Sequence, residues 1–483
     1  MRINFICSAL GIILRLFSLM ILLPCIVAII EKDYFSLIPF IVASGLSLFL
    51  GLILKINQES LDSLNLIKKS EVLFSVAVSW IAICLISAVP YLFYNFSPLN
   101  ALFEATSGIT TTGATILTTF DYPRAMFLWR SLSQWLGGMG IIVLFIAILP
   151  QFRIAGRQMF YAEAPGPTED KVTPRIKHTA IALWGVYVFL TLLQIILYKL
   201  AGMNVFDAIC NAFSTISAGG FSPNANSIMG YNSSLITWIT ILFMFLSGAN
   251  FALQYRVYVQ RKFESLIKSD EFKLYFGFFI GISMIIAIML SIENFCPKVI
   301  AIRDAMFQTI STMTSTGFAT VDYIKWGLST KIFLFLAMFI GGCAGSAAGG
   351  MKVVRVLYMF KFLKTEITKI LHPNAVIPIK IDKTIVSDEV GKQIVSFVMF
   401  YFLIFAIGAV LVSLIEQNVV IGISGSISAI GNIGPAFGAL GPFSTFDVLH
   451  PATKCIFILM MLVGRLELIP FLAMFHVDFW KIR

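Results

Sequence analysis

Apolar stretches of about 20 residues or more recur along the whole chain, and each is long enough to cross about 30 Å of hydrocarbon. They fall at roughly 8–30, 35–55, 72–95, 125–150, 179–201, 233–256, 273–295, 329–360, 393–415 and 451–478. A soluble domain cannot hide that much apolar surface. Of the 483 residues, 58% are hydrophobic and 12% are charged, the latter roughly half the usual share, and the mean hydropathy is +0.90. The chain therefore reads as a polytopic helical membrane protein, which excludes a soluble enzyme and a single-pass receptor. The first apolar run continues through Pro24 to Ile30 without a small-residue cleavage site. It reads as an uncleaved span rather than a signal peptide.

A net charge of +10 would point to nucleic acid in a soluble chain, but its distribution points elsewhere. Basic residues gather in alternate connections: Lys55, Lys68 and Lys69; Arg153, Arg157, Lys171, Arg175 and Lys177; Arg256, Arg261, Lys262, Lys268 and Lys273; and the long stretch from Lys352 to Lys392. From Ala201 to Tyr231 there are none. The positive-inside rule then places both termini and the basic loops in the cytoplasm and makes the number of crossings even. The partner is the lipid bilayer and not nucleic acid. Seven cysteines lie singly in mostly apolar segments, and four histidines show no ligand spacing, so we expect no disulfide, metal site or bound cofactor.

After the third, fifth, seventh and ninth spans comes a short apolar run ending in small and hydroxylated residues. The first three read Asn100-Ala-Leu-Phe-Glu-Ala-Thr-Ser-Gly-Ile-Thr-Thr-Thr-Gly113, Asp207-Ala-Ile-Cys-Asn-Ala-Phe-Ser-Thr-Ile-Ser-Ala-Gly-Gly220 and Asp304-Ala-Met-Phe-Gln-Thr-Ile-Ser-Thr-Met-Thr-Ser-Thr-Gly317. In each an Asx precedes a Gly by thirteen residues, and Ser107, Ser214 or Ser311 precedes it by six. The fourth copy keeps Ser428 six residues before Gly434 but has Ile421 in place of the Asx. The glycines recur at intervals of 107, 97 and 117 residues, one span–short helix–span unit per interval.

This gives the expected fold: an all-α polytopic membrane protein with about ten transmembrane helices plus four re-entrant pore helices, its repeats set around a central pseudo-fourfold pore. Two extra helices occupy 1–69, and the repeats occupy 70–151, 177–262, 270–365 and 390–483. The Asx residues are expected as helix N-caps. About ten helical residues reach only half-way through the hydrocarbon, so the Gly-bearing backbone beyond them must be surrounded by protein or a water-filled cavity. A dehydrated monovalent cation needs replacement ligands, and rings of main-chain carbonyls supply them. Gly permits the angles that aim consecutive carbonyls at one axis. Candidate ligands are Thr111, Thr112, Gly113, Ala218, Gly219, Gly220, Ser315, Thr316, Gly317, Asn432, Ile433 and Gly434. Close packing of helices is the other reading of these glycines.

These motifs resemble those of the Trk/Ktr/HKT superfamily of potassium transporters, most closely the bacterial Trk-type membrane subunit, over essentially the whole chain. The resemblance implies potassium uptake across the bacterial inner membrane, with K+ as the transported ion and a filter glycine in each repeat. In that superfamily Ser in place of the first glycine goes with sodium preference, so Gly113 favours potassium. Gly341-Gly-Cys-Ala-Gly-Ser-Ala-Ala-Gly-Gly350 interrupts the eighth span, and the helix should break there because each Gly costs about 1 kcal/mol relative to Ala. By resemblance Gly345, Ser346, Ala347, Ala348, Gly349 and Gly350 form a gate under the filter, although relatives tend to carry more Gly or Thr where this chain has Ala347 and Ala348. A close-packing helix face is the other reading. A phosphate loop fits poorly, since Lys352 lacks that motif's spacing.

Arg465 in the last span is a charge near mid-membrane, which normally faces a cavity or partner. Glu467 is one candidate partner, but residues two apart lie on different helix faces. The resemblance implies that Arg465 lies below the filter as a positive barrier acting with the gate. It also implies a homodimer and a cytosolic nucleotide-binding regulatory subunit, for which the basic loops offer docking surface. An alternating-access carrier would show inverted halves, whereas this chain shows parallel copies and one broken span. An intramembrane enzyme would need clustered His, Asp or Glu within the spans.

Overall fold

The computed structural model describes residues 3–54, 69–140, 176–293, 297–375, 377–382, 384–466 and 474. The later parts of the expected spans at 125–150 and 451–478, the basic residues Lys55, Lys68 and Arg153 to Arg175, and Glu467 lie outside them. Helices occupy each of the ten expected spans. Among the described residues five are long and apolar enough to cross a bilayer unaided: Ile6–Ile30, Leu73–Leu92, Ala180–Leu200, Asp270–Ile292 and Asp388–Glu416. Leu37–Ile53 is a shorter apolar helix. The helices that follow the short runs are shorter still: Arg124–Gly138, Ser234–Gly248 and Pro451–Arg465 have 15 residues each and Leu328–Met338 has 11. Among the described residues the one sheet is the antiparallel pair Lys380–Ile381 and Thr384–Ile385.

Four short helices, Pro98–Ile109, Val205–Ile216, Lys298–Met313 and Val419–Gly431, contain 12, 12, 16 and 13 residues. At about 1.5 Å per residue they stop short of a full crossing. Their starts correct the expected caps. Ser97 caps the first, its Oγ accepting the Asn100 amide at 3.3 Å, with Pro98 at the first helical position, where a missing N–H costs nothing. Asn204 and Asn418 cap the second and fourth, and Pro297 precedes the third without a side-chain cap. Asn100, Asp207 and Asp304 therefore lie inside their helices. Freed from capping, Asn100 bridges to the far end of the chain: its Nδ2 donates to Asp447 Oδ1 at 2.8 Å, and Lys454 Nζ donates to its Oδ1 at 2.9 Å.

A second correction concerns the broken spans. The break at 339–352 occurs as expected, between Leu328–Met338 and Val353–Leu371. The span read as 233–256 is also broken: Ser234–Gly248 and Phe251–Tyr258 meet at 106°. Asn250 restarts the chain there, its Oδ1 accepting the amides of Ala252 at 2.8 Å and Leu253 at 3.2 Å. One glycine followed by an Asn cap is enough to turn the backbone, and the apolar run conceals it.

Packing makes the four units cyclic. Arg124–Gly138 packs on the second short helix, Ser234–Gly248 on the third, Leu328–Met338 on the fourth, and Pro451–Arg465 returns to the first. The N-terminal helices brace this ring from one side, where Trp129 is buried against Phe17 and Phe40 with ring centroids 6.1 Å away in each case.

Candidate functional site

Each short helix ends in a loop with the same backbone pattern. Two residues before the repeated glycine, Thr111, Ala218, Ser315 and Asn432 have φ of 57°, 56°, 56° and 53°; the glycines Gly113, Gly220, Gly317 and Gly434 have φ of 81°, 77°, 79° and 95°. Left-handed angles are rare outside Gly, Asn and Asp, so a loop that visits them twice in three residues is tightly determined. The matched serines do this partly through their carbonyls. The Ser107 carbonyl accepts the Thr112 amide at 2.8 Å, Ser214 that of Gly219 at 2.8 Å, Ser311 that of Thr316 at 2.9 Å and Ser428 that of Ile433 at 2.9 Å. With those N–H groups tied back to the helix, the carbonyls are left to other partners. The Ser311 and Ser428 hydroxyls add bonds to the carbonyls of Phe318 at 2.6 Å and Gly434 at 2.7 Å.

The four loops interlock. A Cβ placed on Gly113 would overlap the carbonyl oxygen of Gly219; on Gly220, that of Thr316; on Gly317, that of Ile433; and on Gly434, that of Thr112. The contact runs from each loop to the next and closes on itself. Each glycine is thus required for its φ and again for the room it leaves, and neighbouring backbone rather than a packed helix face occupies that room. Hydroxyl ties back the ring: Thr110 Oγ1 to Thr112 Oγ1 at 2.7 Å, Thr314 Oγ1 to Thr316 Oγ1 at 2.8 Å, and Asn432 Nδ2 to Thr112 Oγ1 at 3.0 Å. On one side a pocket opens, lined by Gly113, Gly220, Gly317, Thr115, Ser222 and Arg130 among others.

The loop at 341–350 meets the other side. Gly349 donates its amide at 2.6 Å to Oγ of Ser315, the left-handed residue of the third loop. Backbone freed by the two helix breaks is shared between them: Cys343 N donates to Gly248 O at 2.8 Å, Ala347 N to Ser247 O at 3.2 Å, and Phe251 N to Gly345 O at 3.0 Å. Glu271, buried at the start of the seventh span, accepts the Ala344 amide at 2.6 Å. Left-handed angles fall on Gly341, Gly345, Gly350 and Lys352. Ala347 and Ala348 therefore need no glycine, and both are fully buried. Lys352 donates to the Ala348 carbonyl and Arg355 stacks on Phe397, 3.6 Å from its ring centroid. Both are buried, so the basic run begins inside the protein and offers surface only further along.

Arg465 reaches this loop. Its guanidinium donates to Ala347 O at 3.0 Å and to Gly137 O and Gly138 O at 2.7 Å each, joining the loop to the end of the helix Arg124–Gly138. The sequence analysis missed a buried ion pair. Arg130 Nε pairs with Glu104 Oε1 at 2.8 Å, with the side chains 2% and 0% exposed. Glu104 also accepts from Thr115 Oγ1 at 3.0 Å and Ile116 N at 3.0 Å. Arg130 stacks on Phe221 at 4.1 Å. A lone Glu in the first short helix and an Arg six residues into the helix that follows it were the available signal.

The TrkH family model, described as cation transport protein, matches residues 40–481. The Trk system potassium uptake protein TrkH of Halomonas elongata is 34% identical over 487 residues, covering 100% of both chains. The protein of that name from Escherichia coli K12 is 34% identical over 98% of both. The crystal structure of the potassium transporter TrkH from Vibrio parahaemolyticus superposes with a TM-score of 0.89 at 31% identity, covering 100% of each chain. With a family match over most of its length and relatives that align end to end, the chain belongs to the TrkH family of cation transport proteins.

Proposed function

We propose that this chain takes up potassium across the bacterial inner membrane through a gated pore with a main-chain carbonyl filter. It is a membrane protein of a transport family and not an enzyme. The observation that carries the reading is the closed cycle of four glycines, each seated on the next loop's carbonyl oxygen. A ring of that kind suits an ion that exchanges water for peptide oxygens. The ligands come from Thr111 to Gly113, Ala218 to Gly220, Ser315 to Gly317 and Asn432 to Gly434. Inward movement of one cation gains about 2.3 kcal/mol per 100 mV of inside-negative potential, enough to drive accumulation.

The stretch from Gly345 to Gly350 is the gate and Arg465 its electrostatic barrier. The Gly349–Ser315 bond at 2.6 Å and the Arg465–Ala347 bond at 3.0 Å support that reading. The division into two leading helices and four pore repeats, with both termini cytoplasmic, is supported by the cyclic packing and the charge pattern. Relatives named as Trk system proteins support a multi-component assembly. In it this chain is a homodimer working with a cytosolic nucleotide-binding regulatory subunit.

Flux into liposomes that contain only this chain tests the filter. Potassium enters in preference to sodium, and Gly113→Ser moves the preference toward sodium. An unchanged preference in that variant overturns the assignment.

A further inference from the structure

Three of the four loops carry a side chain immediately before the ring glycine: Thr112, Thr316 and Ile433. The second has Gly219 there. The place is filled from elsewhere. A Cβ built on Gly219 would lie 2.5 Å from Cδ, 2.6 Å from Oε1 and 2.8 Å from Nε2 of Gln134, a residue of the helix Arg124–Gly138 in the preceding unit. The Gln134 side chain is fully buried and uses both ends of its carboxamide. Nε2 donates to the Gly219 carbonyl at 2.6 Å, and Oε1 accepts the Phe221 amide at 3.1 Å. The two bonds bracket Gly220, whose own Cβ position is taken by the Thr316 carbonyl.

We infer that Gln134 is the substitute side chain of the second loop, a positioning residue that fixes the Gly219 carbonyl and thereby sets the cation preference. In the first and third loops a hydroxyl at the helix end ties to the hydroxyl before the glycine: Thr110 to Thr112 and Thr314 to Thr316. The second loop has Ser217 at that helix end, but Gly219 offers it no hydroxyl, and Ser217 Oγ turns back to Ser214 O at 3.2 Å. Two adjacent glycines have the widest backbone freedom of any pair, so without a tie the Gly219 peptide is free to rotate. The carboxamide supplies that tie from the neighbouring unit. A carbonyl oxygen has two lone pairs, so accepting from Gln134 leaves one for a cation.

This inference rests on reading the ring as the filter, and the experiment separates the two. Potassium and sodium uptake are measured on the full-length chain in liposomes for the unaltered protein, Gly113→Ser, Gln134→Met, and the pair Gln134→Ala with Gly219→Thr. Gln134→Met keeps the volume and loses both bonds. It lowers the potassium-to-sodium preference roughly two- to tenfold, the span that one neutral hydrogen bond covers. The pair recreates the Thr-before-Gly arrangement of the first and third loops and recovers most of the preference. If Gly113→Ser shifts the preference and Gln134→Met does not, the filter stands and the role of Gln134 is overturned. If Gly113→Ser also changes nothing, the filter reading itself falls. Should Gln134→Met fail to fold, the pair decides: recovery supports the substitution of one side chain for the other, and a folded pair without preference overturns it.

Discussion

The guanidinium of Arg465 donates to the carbonyl of Ala347 at 3.0 Å, across 118 residues of chain, and its other arm holds Gly137 and Gly138 at 2.7 Å. A planar fork with several fixed donors can bind three carbonyls together. Arg465→Ala releases the loop from the helix end and removes the positive charge, and we expect potassium flux to rise about tenfold or more, as loss of charge-assisted hydrogen bonds permits. Arg465→Lys restores the charge but not the fork, and only part of the restraint. Open probability of single reconstituted molecules checks both; flux unaltered in Arg465→Ala removes Arg465 from the barrier.

Gly317 has φ of 79°, and its missing Cβ makes room for the Ile433 carbonyl oxygen. Gly317→Ala adds left-handed strain of about 1–2 kcal/mol to a clash with backbone that cannot turn aside. We expect a chain that still inserts but no longer discriminates potassium. Growth of a potassium-uptake-deficient bacterium at low potassium, with membrane abundance measured in parallel, reports it. Normal growth at low potassium contradicts the prediction.

The Glu104–Arg130 pair, 2.8 Å apart and buried, predicts a stability effect. Removing one member leaves the other charge uncompensated, at about 3–5 kcal/mol. Glu104→Leu should therefore lower the melting temperature in detergent sharply, and Arg130→Met combined with it should regain a good part of the loss, because the two sites are coupled. Additive losses in the double variant refute the coupling.

Glu271 offers a milder handle on the loop. Its carboxylate accepts the Ala344 amide at 2.6 Å. Glu271→Gln keeps an acceptor and should leave resting flux close to that of the unaltered chain, whereas Glu271→Ala removes it and should raise resting flux several-fold, since an orphaned buried amide costs about 1–3 kcal/mol. Equal flux in the two variants would show that the bond does not restrain the loop.

The ring was readable in the sequence because its demands are local and repeated. A left-handed angle together with an oxygen where Cβ would be leaves Gly as the one residue that fits, so the same letter returns at Gly113, Gly220, Gly317 and Gly434. The spacing of six from serine was visible, but its cause, a carbonyl that gathers the loop amides, was not. Partners fixed by ring closure left no local trace. Gln134 and Gly219 lie 85 residues apart, and nothing near either names the other. The Asx starts were misplaced because Ser97 and Asn204 lie further upstream and intercept the helix first. The bend after Gly248 escaped notice because a single glycine is ordinary in a membrane helix, whereas the run from Gly341 to Gly350 is not.

The seat that the Thr112 oxygen finds against Gly434 joins parts of the chain that a ribosome delivers far apart in time. Synthesis proceeds from the N-terminus, so three loops are made before the last one exists, and until then Gly317 has no carbonyl beneath it. On the proposed filter, discrimination among ions is acquired at the final stage of biogenesis. A prematurely terminated product lacks it entirely, however well its earlier helices have inserted.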